Sequence, residues 1–184
     1  RLFRFEGKVV AITGAGGMLC GEMSRAFANA GCKVLVLDKS PQNGQVVVDE
    51  ITENKGTASF APIDVVQRQS FADALQVCLQ RYGTVDVLIN GAGINAPTPF
   101  FQIKEEEWDA IVASHLKGTF FGCQVFGEYM VKQGRGSIMN ISSASAGPPL
   151  SKAFAYSCAK SAVKSLTQNL AREWGTTGVR VNAL

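Results

Sequence analysis

At 184 residues, 46% apolar and 18% charged, the chain fits one domain with a real core, and this composition excludes a disordered segment. Eighteen basic and 15 acidic residues give a net charge of +3 with no basic stripe, so nucleic acid is not an expected partner. Five cysteines without a CxxC pair, a single histidine and the lack of an apolar run near the roughly 18–20 residues of a membrane helix argue against a metal centre or a membrane span. With no signal-peptide pattern at the N-terminus, they suggest reduced thiols in a cytoplasmic protein.

The first predicted strand, 8–12, runs into a glycine-rich turn, Thr13-Gly14-Ala15-Gly16-Gly17-Met18-Leu19-Cys20-Gly21, and a helix follows over 20–30. Glycines let the backbone turn tightly, and the amides at the helix start can then point at a pyrophosphate. A second strand at 33–37 ends on Asp38, 24 residues after Gly14. A carboxylate there can accept both hydroxyls of an adenosine ribose and repel a 2′-phosphate, which favours NAD over NADP. Ser40-Pro41 starts the next helix, 41–54, with a capping hydroxyl and a proline at the first helical position. The strand at 59–63 leads to Asp64 and Val65, followed by a helix over 67–82. The strand at 85–89 leads to Asn90-Gly91-Ala92-Gly93, and a long helix over 104–132 contains the lone His115.

The strand at 137–141 precedes Ser142-Ser143, and a loop covers 145–152. A helix over 153–174 opens with Tyr156 and Lys160, and a last strand lies at 179–184. Near-continuous Val/Ile/Leu content suits parallel strands covered on both faces. Strands alternating with helices imply right-handed crossovers and a doubly wound, three-layer αβα sheet of the Rossmann type in a single domain over 1–184.

Tyr156 and Lys160 are four residues apart, so both face one side of their helix. An ammonium near a phenol favours the phenolate; bringing a phenol from about 10 to neutral pH takes about 4 kcal/mol, which a lysine and a positive nicotinamide ring can share. The anion can take the proton of an alcohol while hydride leaves for the cofactor. Ser143, past a strand end, stands where ligands bind in such sheets and can hydrogen-bond the substrate oxygen.

Together these motifs resemble the classical short-chain dehydrogenases/reductases from Lys8 to Leu184. The glycine turn is similar to that family's TGxxxGxG, Asp64-Val65 to its adenine-contacting pair, and Asn90–Gly93 to its NNAG stretch along the cofactor. The resemblance implies Ser143, Tyr156 and Lys160 as catalytic residues, with Tyr156 as general acid/base. Lys160 holds the nicotinamide ribose and Ser143 orients the carbonyl. The implied cofactor contacts are Gly14, Gly17, Met18, Leu19, Asp38, Asp64, Val65, Asn90, Ala92, Gly93, Tyr156 and Lys160.

Three departures stand out. Met18 and Cys20 occupy family glycine positions, so Met18 must avoid a positive φ. A glycine-crowded turn of this kind resembles the sugar-acid branch, the mannonate-oxidoreductase-like and gluconate-dehydrogenase-like members. His115 replaces a family asparagine that sits at a helix kink and supports a proton path. Imidazole can also donate and accept hydrogen bonds, so His115 is expected as a fourth catalytic residue, the alternatives being an impaired relay or a packing histidine. The chain ends at the family's sixth strand, so the substrate-covering loop and last strand are expected to be missing, leaving a sheet edge bare.

The expected activity is hydride transfer between a secondary alcohol and NAD, on a sugar acid or polyol. The alternatives are a 3-oxoacyl-type or other ketone reductase and, in another class, a non-catalytic dinucleotide-binding regulator. The helices at 104–132 and 153–174 carry Phe120, Phe121, Phe126 and Met130, and Val163, Leu166, Leu170 and Trp174. Such residues usually form core; the resemblance implies that these helices also pair into homodimers or homotetramers.

Overall fold

In a computed structural model, residues 5–148 and 150–184 are described. Strands β1 (Val9–Thr13), β2 (Lys33–Asp38), β3 (Thr57–Pro62), β4 (Val87–Asn90), β5 (Gly136–Asn140) and β6 (Val179–Ala183) alternate with helices. The helices are α1 (Met18–Asn29), α2 (Pro41–Glu53), α3 (Arg68–Tyr82), α4 (Glu105–Val112), α5 (Gly118–Gln133) and α6 (Phe154–Glu173). All six strands pair in parallel in the order β3-β2-β1-β4-β5-β6. This is the doubly wound arrangement, and its order reverses between β1 and β4, where a crevice opens at the strand C-termini.

Why β1, β2 and β4 are apolar almost throughout follows from the layers. Val10, Ile12, Val34 and Val36 point toward α1 and α2, while Val9, Ala11, Leu35 and Leu37 point toward α3, α5 and α6. Successive side chains of a strand alternate faces, so a strand covered on both sides needs apolar residues at every position. β6 departs from this pattern: Val179 and Val181 are buried, whereas Arg180 and Asn182 are exposed. α6 packs on only one of its faces, so β6 reads as an alternating strand.

Local signals set the helix ends. The Ser40 hydroxyl accepts from the Asn43 amide at 3.3 Å, with Pro41 in the first turn, so α2 starts where the sequence predicts. The helix expected over 104–132 is instead three pieces. α4 passes into one π-helical stretch, Ala113–Lys117, before α5 begins. The wider turn places Ser114 and His115 in the interior. Amphipathic periodicity alone does not register one inserted residue, so the reading ran through it.

Below the strand ends, side chains of different elements join in a buried chain. Asn90 Nδ2 donates to Asn140 Oδ1 and Asn140 Nδ2 donates to Thr167 Oγ1, each at 2.9 Å, and Thr167 Oγ1 donates to Val163 O at 2.8 Å. The set ties β4 and β5 to α6. All five cysteines are free, and no helix among the described residues is long and apolar enough to cross a membrane.

Candidate functional site

At the β1/β4 reversal lies a cleft of about 830 Å³, within the usual range for small-molecule sites. Its wall includes Gly14, Gly17, Met18, Leu19, Asp38, Asp64, Val65, Ala92 and Gly93, all expected cofactor contacts. Gly14 has φ +71°, and a Cβ there would sit 2.8 Å from Ala92 Cα, so only glycine lets the turn touch the end of β4. Thr13, buried at the end of β1, completes that junction: its Oγ1 accepts from the Gly91 and Ala92 amides at 3.0 and 3.2 Å. Met18 is the first residue of α1, lacks a positive φ and is 90% exposed, so its side chain leaves the turn's backbone open.

The other glycine-position substitution is compensated across the sheet. A Cβ on Gly91 would fall 2.2 Å from Cys20 Sγ, so the buried thiol fills the space that a side chain at position 91 would need. Burial pushes the Cys20 thiol up to about 11, which leaves it a protonated packing group rather than a nucleophile. Asn90 does not line the cleft. It lies beneath it, in the Asn140 chain, as a support for the strand ends.

Asp38 closes β2 and is fixed by two backbone amides. Its Oδ2 accepts from the Gly16 N–H and its Oδ1 from the Ser40 N–H, both at 2.9 Å. Lys39 does not neutralise it: Lys39 Nζ reaches Asp64 Oδ2 at 3.2 Å. Asp64 also accepts from the Val66 amide through Oδ1, at 3.3 Å.

His115, Tyr156 and Lys160 meet beside this cleft, and none of the three is on its wall. The expected contacts Tyr156 and Lys160, like Asn90, thus lie outside its lining, and the link is the His115 ring, which abuts Gly93 of the wall. The His115 and Tyr156 rings are edge to face, with centroids 5.0 Å apart, and Lys160 Nζ lies 5.6 Å from the Tyr156 centroid. The helical spacing predicted this Tyr–Lys approach; the π-helical turn brings in the histidine from another segment. Lys160 is 4% exposed and donates to Ile141 O at 2.5 Å, at the end of β5. Burial pulls its ammonium down to about 8, so it stays largely protonated at neutral pH. His115 Nε2 lies 2.8 Å from Ile94 O, and a carbonyl only accepts, so the proton of the neutral ring is on Nε2. Nδ1 is left buried as an acceptor with no partner among the described residues. Burial, and secondarily the Lys160 charge, pulls His115 down to about 4. Its ring lies against Gly93, where a Cβ would fall 1.9 Å from Cε1.

Ser143 follows β5 at the start of a short 3-10 turn, Ala144–Ala146. Its hydroxyl oxygen accepts from the Ser145 amide at 3.1 Å and the Ser145 hydroxyl at 3.0 Å, which leaves its own proton free to donate. Sequence reading missed Thr13, Gly16 and the Cys20–Gly91 contact. Gly16 stood in plain view within the glycine run, but its contacts across the fold are invisible to local spacing.

Known proteins are similar to the chain over nearly its whole length. An uncharacterized oxidoreductase, UxuB, of Bacillus subtilis (strain 168) is 38% identical over 193 residues, covering 97% of this chain and 69% of that protein. A D-threitol dehydrogenase of Mycolicibacterium smegmatis is 31% identical, covering 99% of this chain and 70% of its own length. The crystal structure of a gluconate 5-dehydrogenase from Burkholderia cenocepacia J2315 in complex with NADP and tartrate superposes with a TM-score of 0.91 at 26% identity, over 98% of this chain and 71% of the other. Residues 8–184 match the short chain dehydrogenase family, and the chain belongs to these short-chain dehydrogenase/reductase oxidoreductases.

Proposed function

We propose that the chain is an NAD-dependent dehydrogenase that interconverts a secondary alcohol and a ketone, with a sugar acid or polyol as substrate. The observation that carries this reading is the Tyr156 ring flanked by the Lys160 ammonium and by the His115 imidazole, which abuts Gly93 of the cleft wall. The cleft fits a dinucleotide: the glycine turn lies along it, and a clamped carboxylate stands at its β2 end. Gly14, Gly17, Met18 and Leu19 hold the pyrophosphate, Asp38 the ribose diol, and Asp64 and Val65 the adenine side. Ala92 and Gly93 line the path toward the nicotinamide. When bound, the dinucleotide supplies the hydride acceptor.

The chain's own groups handle the proton. Tyr156 as phenolate takes the proton of the substrate hydroxyl, and as phenol returns it in the reverse direction. Lys160 presents its charge 5.6 Å from the Tyr156 ring centroid and is held in place by Ile141 O. Ser143 donates its free proton to the substrate oxygen. His115 offers the Nδ1 acceptor beside Tyr156, in the place of a hydrogen-bonding relay. A threitol dehydrogenase and a gluconate dehydrogenase among the similar proteins support a polyol or sugar acid. For the NAD choice, the support is the Asp38 carboxylate, which an added 2′-phosphate would have to approach. Five free thiols suit a reducing, cytoplasmic compartment.

The test mixes protein with NAD and a panel of sugar acids, polyols and hydroxy esters and follows NADH absorbance. Tyr156→Phe is expected to lower turnover by about 10²–10⁴-fold. NADH binding should stay within about twofold of the parent, because the change removes only a hydroxyl. Turnover that survives in Tyr156→Phe removes the tyrosine from the mechanism. We also propose a homodimer or homotetramer through α5 and α6. Phe126, Met130 and Val163 prove to be core, and Phe121, Leu170 and Trp174 pack partly against it, so exposed Phe120 and half-buried Leu166 are the apolar residues of that set left for a partner. Mass in solution checks this: a monomer at micromolar concentration rejects it.

A further inference from the structure

We infer that Gly16 determines dinucleotide choice at this site: its bare Cα lets a backbone amide clamp Asp38 in the position where the carboxylate accepts a ribose diol and turns away a 2′-phosphate. The inference rests on the NAD reading above and adds to it a residue that acts through Asp38 without presenting a side chain of its own.

The clamp joins three elements through one carboxylate. Gly16 N–H, from the turn after β1, holds Oδ2, and Ser40 N–H, at the cap of α2, holds Oδ1, while Asp38 itself ends β2. A carboxylate has about four acceptor sites, so two are engaged by amides and two remain for ligand hydroxyls. Fixing the acid in advance matters because an unclamped side chain can swing aside and admit a phosphate.

Glycine is required here for space rather than for an unusual backbone conformation. Gly16 is not among the residues with positive φ. A Cβ at position 16 would lie 2.9 Å from Asp38 Cγ, 3.0 Å from Asp38 Oδ2 and 2.8 Å from Asn43 Cβ. Asn43 Cβ belongs to the first turn of α2 and cannot step aside, so the carboxylate must yield, and in yielding it gives up the Gly16 amide. Lys39, the neighbouring cation on the cleft wall, is engaged with Asp64, so the charge at Asp38 is left to act on the ligand.

Binding of NADH and NADPH to the intact chain, titrated by fluorescence, tests the inference without needing a substrate. The parent, Gly16→Ala, Asp38→Ala and the double variant are compared. The parent should bind NADH more tightly than NADPH, and Gly16→Ala should shrink that ratio about tenfold, the effect expected for a displaced charged hydrogen-bond acceptor. Asp38→Ala should shrink it at least as far, and adding Gly16→Ala to Asp38→Ala should then change nothing. A parent with no NADH preference sinks the cofactor reading beneath the inference. A parent that prefers NADH while Gly16→Ala keeps the ratio overturns the inference alone, as does an equal further loss in the double variant. If circular dichroism shows that Gly16→Ala is unfolded, Gly16→Ala/Asn43→Gly replaces it under the same criteria, since it relieves α2 and crowds only the carboxylate.

Discussion

His115 joins a π-helical turn, a cleft wall and the Tyr156 ring through one imidazole, and its charge state links the three. Its pKa, pulled from 6.5 down to about 4, means that the folded chain keeps the ring neutral over a range where the unfolded chain protonates it. Stability therefore falls as pH drops below 6.5 toward 4, because the unfolded state takes up the proton first. Between pH 6.5 and 4.5 this one group accounts for about 2 kcal/mol. Lys160 is the cation that opposes protonation, and Tyr156 is the other titratable ring in contact. His115→Asn should flatten the slope of chemical-denaturation stability between these two pH values relative to the parent. Equal losses in both proteins would show that the imidazole is not held neutral. At this scale, what the sequence disclosed was what local spacing controls: Tyr156 and Lys160 a helical turn apart, Asp38 at a strand end, Ser143 after another. The Gly16–Asp38 clamp and the Cys20 thiol over Gly91 were hidden, since each depends on a partner that only the folded chain brings near.

Elements were legible where their period and ends carry a signal. Ser40-Pro41 fixed the start of α2, and the Val/Ile/Leu runs gave strands displaced by only one or two residues at most ends. The break between α4 and α5 was not legible, because a single wider turn leaves the apolar pattern on either side intact. Nor was the seam under the cleft, where Asn90, Asn140 and Thr167 join β4, β5 and α6. Asn140 is the middle of that seam and wholly buried. Asn140→Ala should lower unfolding free energy by roughly 2–4 kcal/mol, because Asn90 and Thr167 are left with unmet polar groups out of reach of water. Thr167→Val should cost less, roughly 1–2 kcal/mol, since it removes an end of the chain and keeps the volume. Chemical-denaturation midpoints at constant slope measure both; a loss in Asn140→Ala no larger than in Thr167→Val would mean that the asparagines bond independently.

For the whole molecule, alternation of strands and helices with right-handed crossovers already restricts the topology to a few doubly wound orders, which is why the fold class was readable from pattern alone. The consequence is a cleft whose walls come from both sides of the β1/β4 reversal: Gly14 to Asp38 on one, Ala92 to Ser114 on the other. A dinucleotide held there touches both halves, so its binding energy should stabilise one cooperative unit. At a concentration 100 times its dissociation constant, a ligand that binds only the folded state adds about 2.7 kcal/mol. For a chain of this size, that raises the unfolding midpoint by about 5–10 °C. NADH should produce this shift in a single calorimetric transition, and Tyr156→Phe should show it too, because the change removes only a hydroxyl. NADPH at the same concentration should shift the midpoint less, since on the proposed reading Asp38 faces the added phosphate. Two transitions of which NADH moves only one would mean that the halves flanking the reversal fold as separate units, and no shift at all would mean that the cleft is not a dinucleotide site.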